Sequence, residues 1–292
     1  MGDVLAGFHA AWEFESDSVL IRFERGIRTP KLFQALGERR IPHEAIAAVT
    51  LSPGKRGTVV LHAVPRPGAD PLMEAAAGQL KDGCDPYRLV LPAERETLAE
   101  YYADELRAQV SADDGGPPDR YLVAAPEAPL QFKAYDGKAS FDGKLVSFRW
   151  FWTGASSAKW KAGDQSFAVT DLSGIEWRSP EVFEGHLRLL RRDTPVAQPA
   201  QADQDPAAVV FGLGYGPVHE SLPFAASILA AIRASGPPAL TSDGVGAAPA
   251  PAVRRDPADI ADRIRHLGEL HQAGLLTDEE FTTKKAELLA EL

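Results

Sequence analysis

Residues 132–152 read FKAYDGKASFDGKLVSFRWFW. Two short runs, from Phe132 to Tyr135 and from Lys138 to Phe141, lead through Asp142-Gly143 into a third. There Val146, Phe148, Trp150 and Trp152 alternate with Ser147, Arg149 and Phe151. Apolar residues at every second position mark a strand with one buried face, and Asp-Gly is a dipeptide suited to a tight hairpin turn. The stretch therefore predicts antiparallel strands with Trp150 and Trp152 in a core. Phe151 falls on the other face beside Arg149, which makes it the aromatic to consider as a contact residue.

The same pattern occurs earlier in the chain. Residues 8–15 (FHAAWEFE) pass through Ser16-Asp17-Ser18 into a run where Val19, Ile21 and Phe23 alternate with Leu20, Arg22 and Glu24. Downstream, residues 40–51, with Ile41-Pro42 before Ile46, correspond to residues 166–177, with Val169 before Leu172. Strand patterns follow at 57–64 and 185–190, then a hydrophilic excursion, then strands at 87–91 and 208–211. Each series closes on a helical stripe, Leu98, Tyr101, Tyr102, Leu106 and Val110 in one and Leu222, Ala226, Leu229 and Ile232 in the other. One order of elements used twice is an internal repeat. The predicted domains are 1–112 and 127–236, with SADDGGPP (111–118) between them and a Pro/Ala/Gly-rich linker at 237–257 after them. The fold class is α+β: two antiparallel β-rich repeats, each closed by a helix, then a helical hairpin over 258–292.

The hairpin is the most specific local signal. Ile264, Leu267 and His271 share a stripe with Leu270 beside it, and Gly274 sits where a helix ends in a left-handed residue. Thr277 and Glu280 have capping-box spacing for a second helix carrying Phe281, Leu288 and Leu289. About 35 residues with one apolar stripe per helix are too few to bury a stable core alone, so the stripe needs a partner surface. Its contact residues are expected to be Ile264, Leu267, Leu270, Phe281, Leu288 and Leu289.

Two resemblances follow from these residues. The repeated run of antiparallel strands with a closing helix, over roughly 5–235, resembles the pleckstrin-homology-like fold and a bacterial family of unknown function that occurs in tandem ahead of a helical hairpin. The hairpin resembles the short C-terminal domain family, SHOCT. Leu270-His271-Gln272-Ala273-Gly274-Leu275-Leu276-Thr277, Glu279-Glu280-Phe281 and Lys284-Lys285 carry that likeness. The second resemblance implies an oligomerisation or interaction module, so the expected partner is another copy of the chain or a different protein.

Composition narrows the remaining classes. A formal charge of −10 argues against nucleic acid, whose binding draws on neutralised phosphates. No apolar run reaches the roughly 18 to 20 residues that cross a bilayer. The single cysteine, Cys84, fits a reducing compartment, and with no secretion-like start the expectation is a cytoplasmic protein, peripheral to the membrane at most. Seven histidines show no metal-ligand spacing beyond His266 and His271, which face different sides of a helix. Gly212-Leu213-Gly214-Tyr215-Gly216 lacks the full dinucleotide spacing and reads as a strand-to-helix connector. No nucleophile or phosphate signature is present, so neither an enzyme nor a cofactor is expected. One cluster does suggest binding: Arg25, Arg28 and Lys31, with Arg39 and Arg40 at the far end of the loop, form a candidate anion site for a lipid headgroup or phosphate. In the second repeat only Lys159 and Lys161 occupy that loop.

Overall fold

Alternation in each repeat produces two meanders, one of four strands and one of three. In the computed structural model, which describes residues 3–110, 117–192 and 201–236, the first repeat begins with β1 (Asp3–Ala6), β2 (Ala10–Phe14) and β3 (Ser18–Phe23). It continues through α1 (Lys31–Leu36), β4 (Glu38–Pro42), β5 (Ile46–Pro53) and β6 (Thr58–Pro65). It ends with α2 (Pro71–Ala76), β7 (Arg88–Pro92) and α3 (Glu96–Gln109). The second repeat runs β8 (Leu130–Lys133), β9 (Gly137–Phe141), β10 (Leu145–Trp150), α4 (Ser157–Ala162) and β11 (Gln165–Ala168). After these come β12 (Leu172–Arg178), β13 (His186–Arg191), β14 (Ala208–Val210) and α5 (Val218–Ser235). The sheets are β1 to β4 and β5 to β7, then β8 to β11 and β12 to β14, all antiparallel.

The registers superpose the repeats residue by residue. Trp12 faces Ile21 and Ile21 faces Arg39, as Ala139 faces Phe148 and Phe148 faces Gln165. The Ile-Pro-x-x-x-Ile motif and its counterpart become one short 3-10 turn each, His43–Ala45 and Val169–Asp171, which carries the chain from the first sheet to the second. Both turns hang on an equivalent bond: His43 N–H donates to Asp17 and Val169 N–H to Lys144.

Among the described residues, α2 belongs to the first repeat alone. Pro71 occupies its first turn, where the missing N–H costs nothing, and the Asp70 carboxylate caps it by accepting from Leu72 N–H at 2.8 Å. Its apolar face is spent on the other repeat, because α2 packs on α5. Leu72, Ala75 and Ala76, with Leu32 of α1, lie in the same buried cluster as Phe132, Phe148, Trp177 and Phe224. Arg233 on α5 donates to the Gly68 carbonyl at 2.7 Å, pairs with Glu74 at 3.0 Å and lies 3.7 Å over the Tyr121 ring. The Gln79 side chain acts like a backbone segment, donating to the Trp177 carbonyl and accepting from Ser179 N–H, both at 2.9 Å. Leu122 and Val123, in the connection between the repeats, both donate their N–H to the Ala69 carbonyl.

Two expectations about side chains need correcting. On α3 the buried positions are Ala99, Tyr102, Ala103 and Leu106, whereas Leu98 and Tyr101 face solvent, because the two alanines let the helix lie close on its sheet. β10 ends at Trp150, so Trp150 is buried but Trp152 has left the alternation and stands exposed, edge-on to Trp160 at 5.0 Å. Phe151 is half-buried, its N–H held by the Asp136 carbonyl at 2.9 Å. The linker 237–257 and the hairpin, with Ile264, Leu267, Leu270, Phe281, Leu288 and Leu289, lie outside the described residues.

Candidate contact surface at the loop ends

The loop between β3 and α1 is built by local bonds. Thr29 N–H closes a turn onto the Gly26 carbonyl at 3.0 Å, and Gln34 Nε2 donates to the carbonyls of Gly26 and Thr29 at 3.0 and 2.9 Å. The Thr29 hydroxyl lies 3.3 Å from His9 Nδ1 in the β1–β2 turn. This ordered turn leaves Arg25, Arg28 and Lys31 exposed, with Ile27 fully in solvent between the arginines.

Arg39 and Arg40 do not join them. Arg39 is buried in the first repeat, donating to Asp70 Oδ1 at 2.7 Å and to the Tyr87 hydroxyl at 3.1 Å, while that hydroxyl donates to Asp70 Oδ2 at 2.6 Å. Burial opposes the charge on Arg39, but Tyr87 and Asp70 more than offset it and raise its pKa. Arg39 therefore pins β4 to α2 and β7 and has no free charge to offer an anion. Arg40 pairs with Glu15 and donates to Ser18 Oγ, at the β2–β3 turn and thus the opposite end of the strands. The candidate anion site reduces to Arg25, Arg28 and Lys31.

In the second repeat Lys159, counted as a loop cation on sequence, is fully buried. Its ammonium donates to Asp136 Oδ2 at 2.5 Å and to the Ala208 carbonyl at 2.8 Å, and lies 4.9 Å from the Trp150 ring centroid. Asp136 Oδ1 accepts from Val210 N–H at 2.9 Å. Burial disfavours the charge on both partners, raising the Asp136 pKa and lowering that of Lys159. Their mutual attraction and the full set of hydrogen bonds keep the ion pair in place. Its role is to clamp α4, the β8–β9 turn and β14 together.

That clamp supports a set of exposed apolar tips. Gly212 and Tyr215 bond to each other's backbone at 3.3 and 3.0 Å, and Gly214 takes φ 80°, which a tight turn requires here. The glycine-rich stretch is thus a hairpin turn with Leu213 fully exposed at its tip. Tyr215 meets Tyr135 edge-on at 6.2 Å, and both are exposed. Phe211 N–H donates to the Gly185 carbonyl, which ties this region to the β12–β13 loop, where Val182 and Phe183 are exposed, Phe183 at 84%. Among the described residues, most of the exposed large apolar side chains, namely Phe8, Ile27, Tyr135, Trp152, Val182, Phe183, Leu213 and Tyr215, thus come from the corresponding end of one repeat or the other. The connector at 212–216 and the basic loop are legible in the sequence, but their exposed apolar tips are not, because a lone apolar residue in a turn has no periodicity to report. Burial lowers the pKa of His219 on α5, opposed by Glu220 and aided by Lys31 of the first repeat. Burial pushes the Cys84 thiol pKa up, which disfavours the thiolate.

Among the described residues no helix is long and apolar enough to cross a membrane. Comparison with curated proteins gives no match. A family model for a short C-terminal domain, SHOCT, matches residues 262–289. A second model, described as a domain of unknown function, DUF4429, matches twice, at 12–107 and 139–229, over more than half of the chain and across both structural repeats. The chain belongs to the DUF4429 family, with two copies of that domain followed by a SHOCT domain.

Proposed function

We propose that the chain is a non-enzymatic binding or scaffold protein of the cytoplasm. Its two repeats present their loop ends to a partner, and its C-terminal hairpin joins copies of the chain or captures a second protein. The observation that carries this reading is the gathering of exposed apolar side chains on ordered turns of the loop ends, a pattern that folding alone does not call for. We read each repeat as pleckstrin-homology-like, on the support of a four-strand meander, a three-strand meander and a closing helix in that order. The hairpin's part rests on its size and its apolar stripes. Light scattering on the full chain and on a chain ending at Gly236, over several concentrations, tests it. A multimeric full chain and a monomeric truncation are expected; two monomers would remove self-association.

A second reading is favoured by Arg25, Arg28 and Lys31, which are exposed and unpaired among the described residues while Arg39 and Arg40 are engaged. On this reading the first repeat binds an anionic phosphate, as a lipid headgroup or free in solution. Cosedimentation with acidic vesicles over a salt series, with inorganic phosphate as competitor, separates the two sources; no pelleting and no phosphate binding at low salt would end the reading.

A further inference from the structure

We propose that the loop ends insert into the surface of an anionic bilayer, with Ile27 of the first repeat and Phe183 and Leu213 of the second as the inserting side chains. This rests on the anion reading above and extends it to the second repeat, which lacks the basic loop. Each of the three side chains projects from a hydrogen-bonded turn: Gly26 to Thr29, Gly212 to Tyr215, and the segment opened by the Val182 N–H bond to the Ser179 carbonyl. Ile27 and Leu213 are as exposed as residues in an unfolded chain. Protruding tips of this kind would need matching pockets on a protein, whereas the deformable boundary between headgroups and acyl chains accepts them without any.

The surroundings fit that boundary. Around Ile27 the first repeat exposes Arg25, Arg28 and Lys31, and its β5–β6 turn adds Lys55 and Arg56, in a chain of net charge −10. Local cations of this sort attract anionic headgroups despite the overall charge. Behind Leu213 stand Tyr135, Tyr215 and Trp152, whose rings have an apolar body and a polar tip and suit the headgroup level. Beside Phe183 the acids are neutralised, since Glu181 pairs with Lys81 at 3.0 Å and Glu184 lies 3.9 Å from Arg178. The two loop ends meet where α1, which follows the first repeat's loop, packs on α5, which follows the Leu213 turn.

The test uses the full chain and vesicles of phosphatidylcholine, alone or mixed with phosphatidylglycerol. Mixed vesicles should pellet the protein, and part of that binding should persist at high salt, where charge attraction is screened. Ile27→Asp and Leu213→Asp should each weaken binding about tenfold or more, the loss expected for one apolar side chain withdrawn from the interface. Arg25→Glu with Arg28→Glu should remove the low-salt component. A Leu213→Trp variant should be quenched by brominated lipid, which keeps the test informative if an aspartate variant misfolds. Equal pelleting of wild type and both aspartate variants, with no quenching, would leave headgroup attraction standing and overturn insertion. No pelleting of wild type at low salt would overturn both.

Discussion

Position 159 shows how one core accommodates two chemistries. In the first repeat the equivalent helix position, counted back from Gly37 and Gly163, is Phe33, which stacks on Phe23 with ring centroids 4.6 Å apart. In the second repeat Phe23 becomes Trp150, Phe33 becomes Lys159 and His9 becomes Asp136, so an aromatic stack gives way to a cation over an indole with a carboxylate to neutralise it. Removing one member of such a pair strands the other. Lys159→Phe alone should cost about 3 to 5 kcal/mol in urea denaturation. Lys159→Phe with Asp136→His, which restores the first repeat's solution, should cost clearly less than the sum of the single changes; additive losses would show that the pair is not coupled. Neither buried cation was recognised from sequence, though for Arg39 the signal was there: it stands two residues before Ile41 in a strand, so it shares the inward face. Lys159 carried no such sign, because its helix has only six residues and its partner lies 23 positions away.

The long elements were legible because periodicity accumulates over several residues. The hairpins and the closing helices lie at nearly the places their periodicity predicts, while the crossover turns, α1, α2, α4 and β1 carry no such signal, being shorter than two helical turns or only four residues long. α2 matters most among these. Asp70 caps it, neutralises Arg39 and accepts from Tyr87. Asp70→Ala should therefore lose about 3 to 5 kcal/mol by chemical denaturation, more than a cap alone accounts for, since it also leaves Arg39 buried without a counter-charge. Two histidines at element ends set a pH dependence. Burial lowers the pKa of His43, in the first crossover turn, and of His219, in the first turn of α5, where Lys31 adds to the shift. Well above the ordinary histidine pKa of about 6.5 both are neutral folded or unfolded, and their contribution is constant. As pH falls below that value the unfolded chain takes up protons first, so stability drops until the lowered folded pKa values are passed. His43→Gln with His219→Gln should flatten the stability profile between pH 7 and 5; an unchanged slope would place the dependence elsewhere.

Across the molecule the repeats are not independent beads. The sequence suggested two domains joined by a polar linker, and composition alone does not show that α2 and α1 complete the neighbouring core. Calorimetry on the chain ending at Gly236 should therefore give one cooperative transition, and Arg233→Ala, which removes the bonds to Gly68 and Glu74, should lower its midpoint. Two resolved transitions in the unmodified chain would show that the shared core does not couple the halves. The docking also fixes the interval between the loop ends of the two repeats. A ligand that engages the first finds the second already in place, with no orientational search and no linker entropy left to lose. On the proposed reading, two weak contacts would then act as one bivalent grip, whose strength is set by the rigidity of the joint at α2 and α5 as much as by either contact taken singly.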